Sequence, residues 1–226
     1  MGLVAMIAVV GMILQGIFIT VEHKEKYVAA DALKGLAAAC FVCIGVIGYV
    51  TKTNDAFGLK LMIGLCFGML GDILLNLRFV VGEEKGQKVF LLGIVAFLVG
   101  HILYLAALLP LAAHVGICVL IGAILAAGLL TYIFKTMDVK MAFKIFGVFY
   151  LGAVIIMTVL AMDIAFTMQS VRSIVYAIGA VLFTASDIVL IFNTFSGTTR
   201  FSMRIANLSL YYIGQILIAS CLFLAA

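Results

Sequence analysis

Hydrophobic residues fall into eight long runs along this chain, and short polar stretches separate the runs. They cover about residues 2–20, 33–50, 58–79, 89–109, 112–134, 142–162, 172–195 and 203–224. About 20 apolar residues in a helix cross a bilayer, so each run is close to the length of one span. The pattern predicts an all-α, polytopic membrane helix bundle with eight transmembrane helices.

The boundary between the fourth and fifth runs is the least marked. Only Pro110 and a few small residues divide them, whereas the polar segment 196–200 clearly separates the last two runs. A count of seven helices stays open if the fourth and fifth runs form a single span.

Basic residues supply a test of the helix count, because loops on the cytoplasmic side are enriched in Lys and Arg. Eleven lie at the odd-numbered loops and three at the even-numbered loops: Lys24, Lys26, Lys34, Arg78, Lys85, Lys88, Lys135, Lys140, Lys144, Arg200 and Arg204 against Lys52, Lys60 and Arg172. Eight helices with both termini outside the cytoplasm produce this alternation, and seven do not.

Composition agrees with a membrane protein. Of the 226 residues, 66% are hydrophobic and 11% are charged, whereas an ordinary soluble domain is about a quarter charged. No linker or long polar loop divides the chain, so residues 1–226 form a single transmembrane domain. The net charge of +4 is small and spread out, which argues against nucleic acid as a partner. The compact loops favour a bacterial inner membrane, and no feature sets an oligomeric state.

Two apolar runs carry the same motif around an aspartate. Gly64 precedes Asp72 by eight residues and Gly179 precedes Asp187 by eight, and each aspartate is followed by Ile, one residue and Leu. Gly100-His101-Ile-Leu and Gly214-Gln215-Ile-Leu also correspond. These matches predict two parallel four-helix repeats, about 1–110 and 111–226, related by an axis near the membrane normal. An ionisable group within a membrane is usually functional, so we expect one site built from both halves.

Helical spacing indicates which polar residues share faces with the two aspartates. Gly64, Gly68, Asp72 and Asn76 follow i, i+4 spacing, as do Asn207, Tyr211 and Gln215, while His101 and Tyr104 are i, i+3 neighbours. We expect Asp72, Asp187, His101 and Gln215 to line one cavity. Asn193 falls on another face from Asp187 and is assigned to a helix end.

Structural alternatives exist for each of these residues. Gly64 and Gly68 are more typical of helix packing, and the aspartates or His101 could be satisfied internal groups. Lys34 could be an interfacial lysine whose ammonium group extends to lipid phosphate. Tyr150 fits packing and site equally well.

Two other kinds of hydrolase have little support. Of three histidines, only His101 lies at the depth of the aspartates, so a three-histidine zinc site cannot form. One histidine with two aspartates is a weak alternative, and we expect no metal and no cofactor. No Gly-x-Ser-x-Gly motif is present, and Ser186 points about 100° away from Asp187.

The chain resembles the lysoplasmalogenase family, the YhhN-like integral membrane proteins, over nearly its whole length. The matching elements are Gly71-Asp72 with the leucines that follow, 97–104 around His101, and 183–190 around Asp187; Lys34 and Tyr150 also fit. Gly35 follows Lys34 where the family is expected to have proline. The resemblance implies a cofactor-free enzyme that hydrolyses the vinyl ether of a lysoplasmalogen, giving a fatty aldehyde and glycerophosphoethanolamine or glycerophosphocholine.

Two buried carboxyl groups fit that chemistry. Vinyl ether hydrolysis needs a proton donor for carbon and a base for water, and a pair of carboxyl groups in different surroundings can supply both. We therefore expect Asp72, Asp187 and His101 to be catalytic. The other expected contacts with the lysophospholipid come from Lys34, Asn76, Tyr104, Tyr150, Asn207, Tyr211 and Gln215. The lysolipid would enter from the cytoplasmic leaflet of the surrounding membrane lipids, with its phosphate near Lys34 and its chain passing Gly64 and Gly68 toward the membrane centre.

A transporter or channel for a small or lipid-like solute is the competing class. Parallel repeats and polar residues near the bilayer centre fit that class too. No proline interrupts a helix beside the aspartates, which favours the enzyme.

Overall fold

The computed structural model describes residues 2–224 and consists of helices joined by short loops. The eight α-helices are α1 (Gly2–His23), α2 (Tyr27–Thr51), α3 (Ala56–Leu77), α4 (Glu83–Leu108), α5 (Val115–Thr136), α6 (Met141–Met168), α7 (Val171–Phe195) and α8 (Phe201–Ser220), followed by a 3₁₀ turn at Cys221–Phe223. All eight are long and apolar enough to span a membrane. The eight-helix, all-α prediction is confirmed, and the seven-helix alternative is wrong because α4 and α5 are separate helices on either side of Pro110.

Several helices extend beyond their apolar runs, and one extension changes the site. Helix α2 begins at Tyr27, so Lys34 lies about two turns inside the helix instead of at its start. Helix α4 begins at Glu83, which places Glu83 and Glu84 in its first turn. Acidic side chains are favourable there because the helix N-terminus carries partial positive charge.

Polar residues and glycines set the helix ends. Asp55 accepts a hydrogen bond from the backbone N–H of Gly58 at the start of α3. Gly82 and Gly197 have φ angles of 82° and 81° in the loops before α4 and α8, a conformation that only glycine adopts at little cost. The side chain of Asn193 accepts from the N–H of Arg200 at 2.7 Å, as expected for a helix-end residue.

Six of the helices form a ring, and two helices pack outside it. Each of α2, α3, α4, α6, α7 and α8 packs on the next, and α8 returns to α2; α1 packs on α2 and α8, and α5 packs on α6. The loops 24–26, 78–82, 137–140 and 196–200 lie at one end of this ring, where the side chain of Arg204 reaches Glu22. We call it the basic end, because it carries all the basic residues except Lys52, Lys60 and Arg172.

Glycine pairs bring two pairs of helices into close backbone contact. A Cβ atom on Gly100 would lie 3.0 Å from the carbonyl oxygen of Gly64, and one on Gly179 would lie 2.9 Å from that of Gly214. A Cβ atom on Gly64 would also collide with the ring of Tyr104, and one on Gly68 would lie 3.0 Å from the Gln215 amide. Gly64 and Gly68 are therefore packing residues, and the predicted path of an alkyl chain past them is wrong.

Candidate functional site

A cavity enters the ring from the basic end and has two unlike walls. The polar wall comes from Lys34, Asp72, Arg78, Tyr150, Asp187, Thr194, Arg204, Asn207 and Tyr211. The apolar wall comes mainly from α4 to α7: Phe90, Ile94, Phe97, Leu130, Ile133, Phe134, Val139, Phe143, Gly147, Leu151, Leu190, Ile191 and Phe195. A molecule with one polar and one apolar part matches this division.

Asp72 contacts a cation and a hydroxyl group at the polar wall. Nζ of Lys34 lies 3.1 Å from Oδ1 of Asp72, and the hydroxyl of Tyr211 donates to Oδ2 at 2.6 Å. Asp72 is only 2% exposed and Lys34 only 5%, so little water screens the ion pair. The expectation that Lys34 extends to lipid phosphate is wrong, because its ammonium group lies within the bundle against Asp72.

Asp187 has a hydroxyl partner but no cation. The hydroxyl of Tyr150 donates to its Oδ2 at 2.6 Å, and no Lys, Arg or His among residues 2–224 lies within ion-pair distance. The neighbouring Ser186 donates its hydroxyl to the carbonyl of Phe183, so it is not directed at Asp187. The two aspartates thus line one cavity in different electrostatic surroundings.

Aromatic rings hold the two tyrosine–aspartate pairs in place. The ring of Phe97 lies between the tyrosines, with centroid distances of 6.4 Å to Tyr150 and 6.1 Å to Tyr211. Phe183 packs against Tyr211 from α7 at 5.4 Å. These packed rings restrict the rotamers of both tyrosines, which fixes the direction of each hydroxyl group.

A chain of polar contacts behind Tyr211 accounts for two further residues of the predicted site. The Gln215 amide lies 3.5 Å from the Tyr211 hydroxyl, and the Tyr104 hydroxyl lies 3.4 Å from the Gln215 carbonyl oxygen. Both Gln215 and Tyr104 are about 1% exposed, and neither lines the cavity. They contact Tyr211 from the side away from the cavity. This geometry favours a role in positioning Tyr211 over the predicted direct contact with substrate.

His101 is enclosed by rings on the far side of Tyr150. Its Nδ1 lies 2.8 Å from the carbonyl oxygen of Phe97, so Nδ1 carries a hydrogen; Nε2 has no partner in the described part of the chain. The histidine ring lies 5.5 Å from that of Tyr150 and 4.7 Å from that of Phe183. His101 and Gln215 are absent from the cavity wall, so the expectation that both line it with the aspartates is wrong.

Asn76 belongs to a neighbouring polar cluster. Its amide, oriented with the nitrogen toward Glu22, donates to Oε1 at 2.8 Å and accepts from the N–H of Asp31 at 3.2 Å. Glu22 also accepts two hydrogen bonds from Arg204, at 2.9 and 2.6 Å. This cluster joins α1, α2, α3 and α8 beside the cavity, and Asn76 itself does not line it.

Six of the ten predicted site residues therefore line the cavity: Lys34, Asp72, Tyr150, Asp187, Asn207 and Tyr211. Asn207 donates to the carbonyl of Ser186 at 2.8 Å and so ties α8 to α7 beside Asp187. Sequence reasoning missed Arg78 and Arg204, which were assigned to loops, and the apolar wall from α5. The charge pattern identifies these two arginines only as basic residues of the odd-numbered loops.

Metal ligands do not come together in the described residues: between residues 2 and 224 no group of three or more His, Cys, Asp or Glu side chains is placed to hold an ion. The site offers instead two carboxyl groups, two tyrosine hydroxyls and an ammonium group. These groups can bind, donate and accept protons.

Comparison with known proteins yields one family match. No curated protein and no solved structure gives a significant match to the chain. The model of the YhhN family matches residues 29–222, which include α3 to α8, all of α2 except its first two residues, and all of the residues that line the cavity.

Proposed function

This chain belongs to the YhhN family, and from that premise we propose that it is a membrane-embedded hydrolase of lysoplasmalogens. It cleaves the vinyl ether bond of alkenyl-glycerophosphoethanolamine or alkenyl-glycerophosphocholine. The products are a fatty aldehyde and the glycerophospho-alcohol. The observation that carries the proposal is a pair of buried carboxyl groups in one cavity; among the described residues, 2–224, a cation lies within ion-pair distance of Asp72 but not of Asp187.

This difference assigns the roles of the two carboxyl groups. The ammonium of Lys34 and the hydroxyl of Tyr211 both stabilise negative charge on Asp72, so Asp72 is the base. Asp187 lacks a facing cation and holds one hydrogen bond from Tyr150, so Asp187 is the proton donor. Acid and base groups positioned in this way typically contribute about 10²–10⁴-fold each to a rate.

The first half of the reaction converts the vinyl ether to a hemiacetal. Asp187 donates its proton to the β-carbon, the carbon–carbon double bond supplies the electron pair, and an oxocarbenium ion forms at the carbon bound to oxygen. Water adds to that carbon while Asp72 takes the proton that water loses.

The second half restores both aspartates. The hemiacetal hydroxyl gives its proton to the Asp187 carboxylate as the carbonyl forms. The carbon–oxygen bond to glycerol breaks, and Asp72 returns its proton to the departing oxygen. One water is consumed, one aldehyde and one alcohol are released, and no oxidant or reductant is needed.

The lining of the cavity supports a lysolipid as the substrate. Its polar wall carries charged groups for the headgroup and the reacting bond, while its apolar wall of Phe90, Phe134, Phe143 and other side chains suits one alkyl chain. The continuous helices α3 and α7 through both aspartates differ from the broken helices of many transporters.

A repeat that relates the two halves of the chain would explain why the site contains two aspartates. Gly64, Asp72 and Gly82 precede Gly179, Asp187 and Gly197 by 115 residues each, and Gly100 precedes Gly214 by 114. The close contact of Gly64 with Gly100 has its counterpart in that of Gly179 with Gly214. Each half thus supplies one aspartate to the cavity.

We also propose that the basic end faces the cytoplasm of a bacterial inner membrane, with both termini on the other side. Lys34 is buried against Asp72, but ten basic residues remain at that end against three at the other. Substrate would then enter from the cytoplasmic leaflet.

Aldehyde release tests the proposed function. Detergent-purified protein should release aldehyde from an alkenyl lysophospholipid and none from the alkyl ether of the same chain length, whose saturated ether has no carbon that accepts a proton. If the protein releases no aldehyde from any alkenyl lysophospholipid, the proposed function is wrong.

A further inference from the structure

We propose that Arg78 binds the phosphate of the lysophospholipid headgroup at the mouth of the cavity. This inference rests on the proposed function and extends it, because it assigns the headgroup contact to a residue that sequence reasoning placed in a loop. It also separates phosphate binding from Lys34, whose ammonium group is engaged by Asp72.

Arg78 is the cavity cation without an anionic partner in the part of the chain that the structure describes. Lys34 pairs with Asp72, and Arg204 pairs with Glu22 through two hydrogen bonds. Arg78 forms no ion pair with any residue between 2 and 224, and its Nε is buried without a hydrogen-bond partner. A partly buried guanidinium without an acceptor is costly, so an anionic ligand would satisfy it.

Two aromatic rings hold the guanidinium group of Arg78. Its central carbon lies 4.5 Å from the ring centroid of Phe79 and 4.2 Å from that of Phe90. Such stacking occupies the faces of a guanidinium and leaves its edge N–H groups free. Those N–H groups form a planar fork that matches two phosphate oxygens.

Arg78 also lies where a headgroup would have to lie. Arg78 lines the inner cavity with Asp72 and Asp187. The charged residues of a second depression at the basic end are Arg78, Glu83, Asp138 and Lys140, and of these four only Arg78 also lines the inner cavity. Phe90, Phe143, Thr194 and Phe195 line both spaces as well, so the depression adjoins the cavity. The carboxylates of Glu83 and Asp138 would face the ammonium part of a zwitterionic headgroup.

The spacing along α3 fits the length of the substrate. Arg78 is six residues after Asp72, about 9 Å along a helix axis. The two reacting carbons of a lysoplasmalogen lie six and seven bonds from phosphorus, about 7.5–9 Å in an extended chain. A phosphate at Arg78 therefore leaves the vinyl ether at the level of the aspartates.

The test is equilibrium binding of a ligand that the enzyme cannot cleave. Radiolabelled 1-O-hexadecyl-glycerophosphocholine is compared with 1-O-hexadecylglycerol, which has the same chain and no phosphate, on detergent-purified wild type, Arg78→Gln and Arg78→Lys. We expect Arg78→Gln to weaken binding of the phospholipid about ten- to a hundredfold and to leave binding of the alkylglycerol unchanged. Arg78→Lys, which keeps the charge and loses the fork, should give a smaller loss.

The controls separate this subsite from general charge and from free phosphate. Lys88→Gln removes an exposed basic residue at the same end and should not change either affinity. Inorganic phosphate and glycerophosphocholine should compete only weakly with the phospholipid; if inorganic phosphate binds wild type as tightly as the phospholipid does, the site is one for free phosphate and the proposal is overturned.

The remaining outcomes also decide the matter. If Arg78→Gln leaves phospholipid binding unchanged or weakens both ligands equally, Arg78 is not the phosphate contact. If Arg78→Gln does not fold, the test uses Arg78→Lys and the preference of the wild type for phospholipid over alkylglycerol. Absence of that preference in the wild type overturns the proposal. Because the alkyl ligands are not cleaved, these results are independent of aldehyde release, whose absence would count only against the proposed function.

Discussion

The ammonium nitrogen of Lys34 lies 3.1 Å from Oδ1 of Asp72, and both side chains are buried. In the proposed mechanism, this contact makes Lys34 a part of the base. A lysine at a lipid interface would affect substrate binding, whereas a lysine that holds a carboxylate ionised affects the chemical step.

Replacement of Lys34 should therefore lower kcat more than it raises KM. We expect Lys34→Met to reduce kcat at least about tenfold with little change in KM, since loss of the transition-state interaction appears in kcat. Lys24→Met, at an exposed position of the same end, is the control. A rise in KM alone would mean that Lys34 contacts the headgroup.

A double variant separates stability from activity at the same pair. Breaking a buried ion pair on one side costs about 3–5 kcal/mol, whereas replacing both partners by apolar groups is often neutral. Lys34→Met should lower the unfolding temperature, and Lys34→Met with Asp72→Leu should recover it without recovering turnover. Equal destabilisation in both variants would contradict a pairwise contact.

The tyrosine hydroxyls provide a second prediction. Tyr150→Phe and Tyr211→Phe each remove the 2.6 Å hydrogen bond to one aspartate while keeping the ring. We expect turnover to fall about tenfold or more in each, because a hydrogen bond to a charged group contributes about 1.5–3 kcal/mol. In the proposed mechanism Asp72 carries its negative charge before the reaction, whereas Asp187 becomes charged as it gives up its proton. Tyr132→Phe, at an exposed ring on α5, should have no effect. Unchanged turnover in both Tyr150→Phe and Tyr211→Phe would show that the two hydroxyl groups do not contribute to catalysis.

The apolar wall predicts a chain-length effect at Gly147. This glycine lines the cavity, and a Cβ atom there would meet nothing within 4 Å, so a larger side chain fills space without a clash. Gly147→Leu should slow long-chain substrates more than short ones. Gly152→Leu is the control, because Gly152 also has open space but lies off the cavity. If Gly147→Leu slows turnover equally at all chain lengths, the alkyl chain of the substrate does not lie beside Gly147.

Close helix contact predicts a stability effect at two further glycines. A Cβ atom on Gly100 or Gly214 would lie 3.0 or 2.9 Å from the facing carbonyl oxygen, so Gly100→Ala and Gly214→Ala should each cost about 1–3 kcal/mol. Gly128→Ala meets nothing within 4 Å and should be neutral or stabilising. Thermal unfolding in detergent measures all three, and an unchanged midpoint for Gly100→Ala and Gly214→Ala would contradict the close contact.

The helices and the two aspartates could be predicted from the sequence because the patterns that indicate them are local. Apolar run length determines whether a helix spans the membrane, and an aspartate within such a run stands out by itself. The buried faces that carry Asp72 and Tyr211 also followed from helical spacing.

Side-chain pairs that join different helices could not be predicted in this way. Lys34 and Asp72 are on different helices, as are Glu22 and Arg204, and no local pattern encodes such pairs. The sequence prediction starts α2 too late because Asp31 lies between the charged segment 22–26 and the apolar run. That error places Lys34 at the interface. Arg78 was missed because a basic residue after a span is ordinarily explained by topology alone.

The central claim is that Asp187 donates a proton and Asp72 accepts one, and turnover of Asp187→Asn and Asp72→Asn tests it most directly. Aldehyde release from an alkenyl lysophospholipid is measured with Glu84→Gln as the control, because Glu84 is an exposed acidic residue at the basic end that lines neither the cavity nor the depression. The account predicts a loss of at least about a hundredfold in each site variant, with a folded protein and normal turnover in the control. Near-normal turnover in either folded site variant would contradict the two-aspartate mechanism.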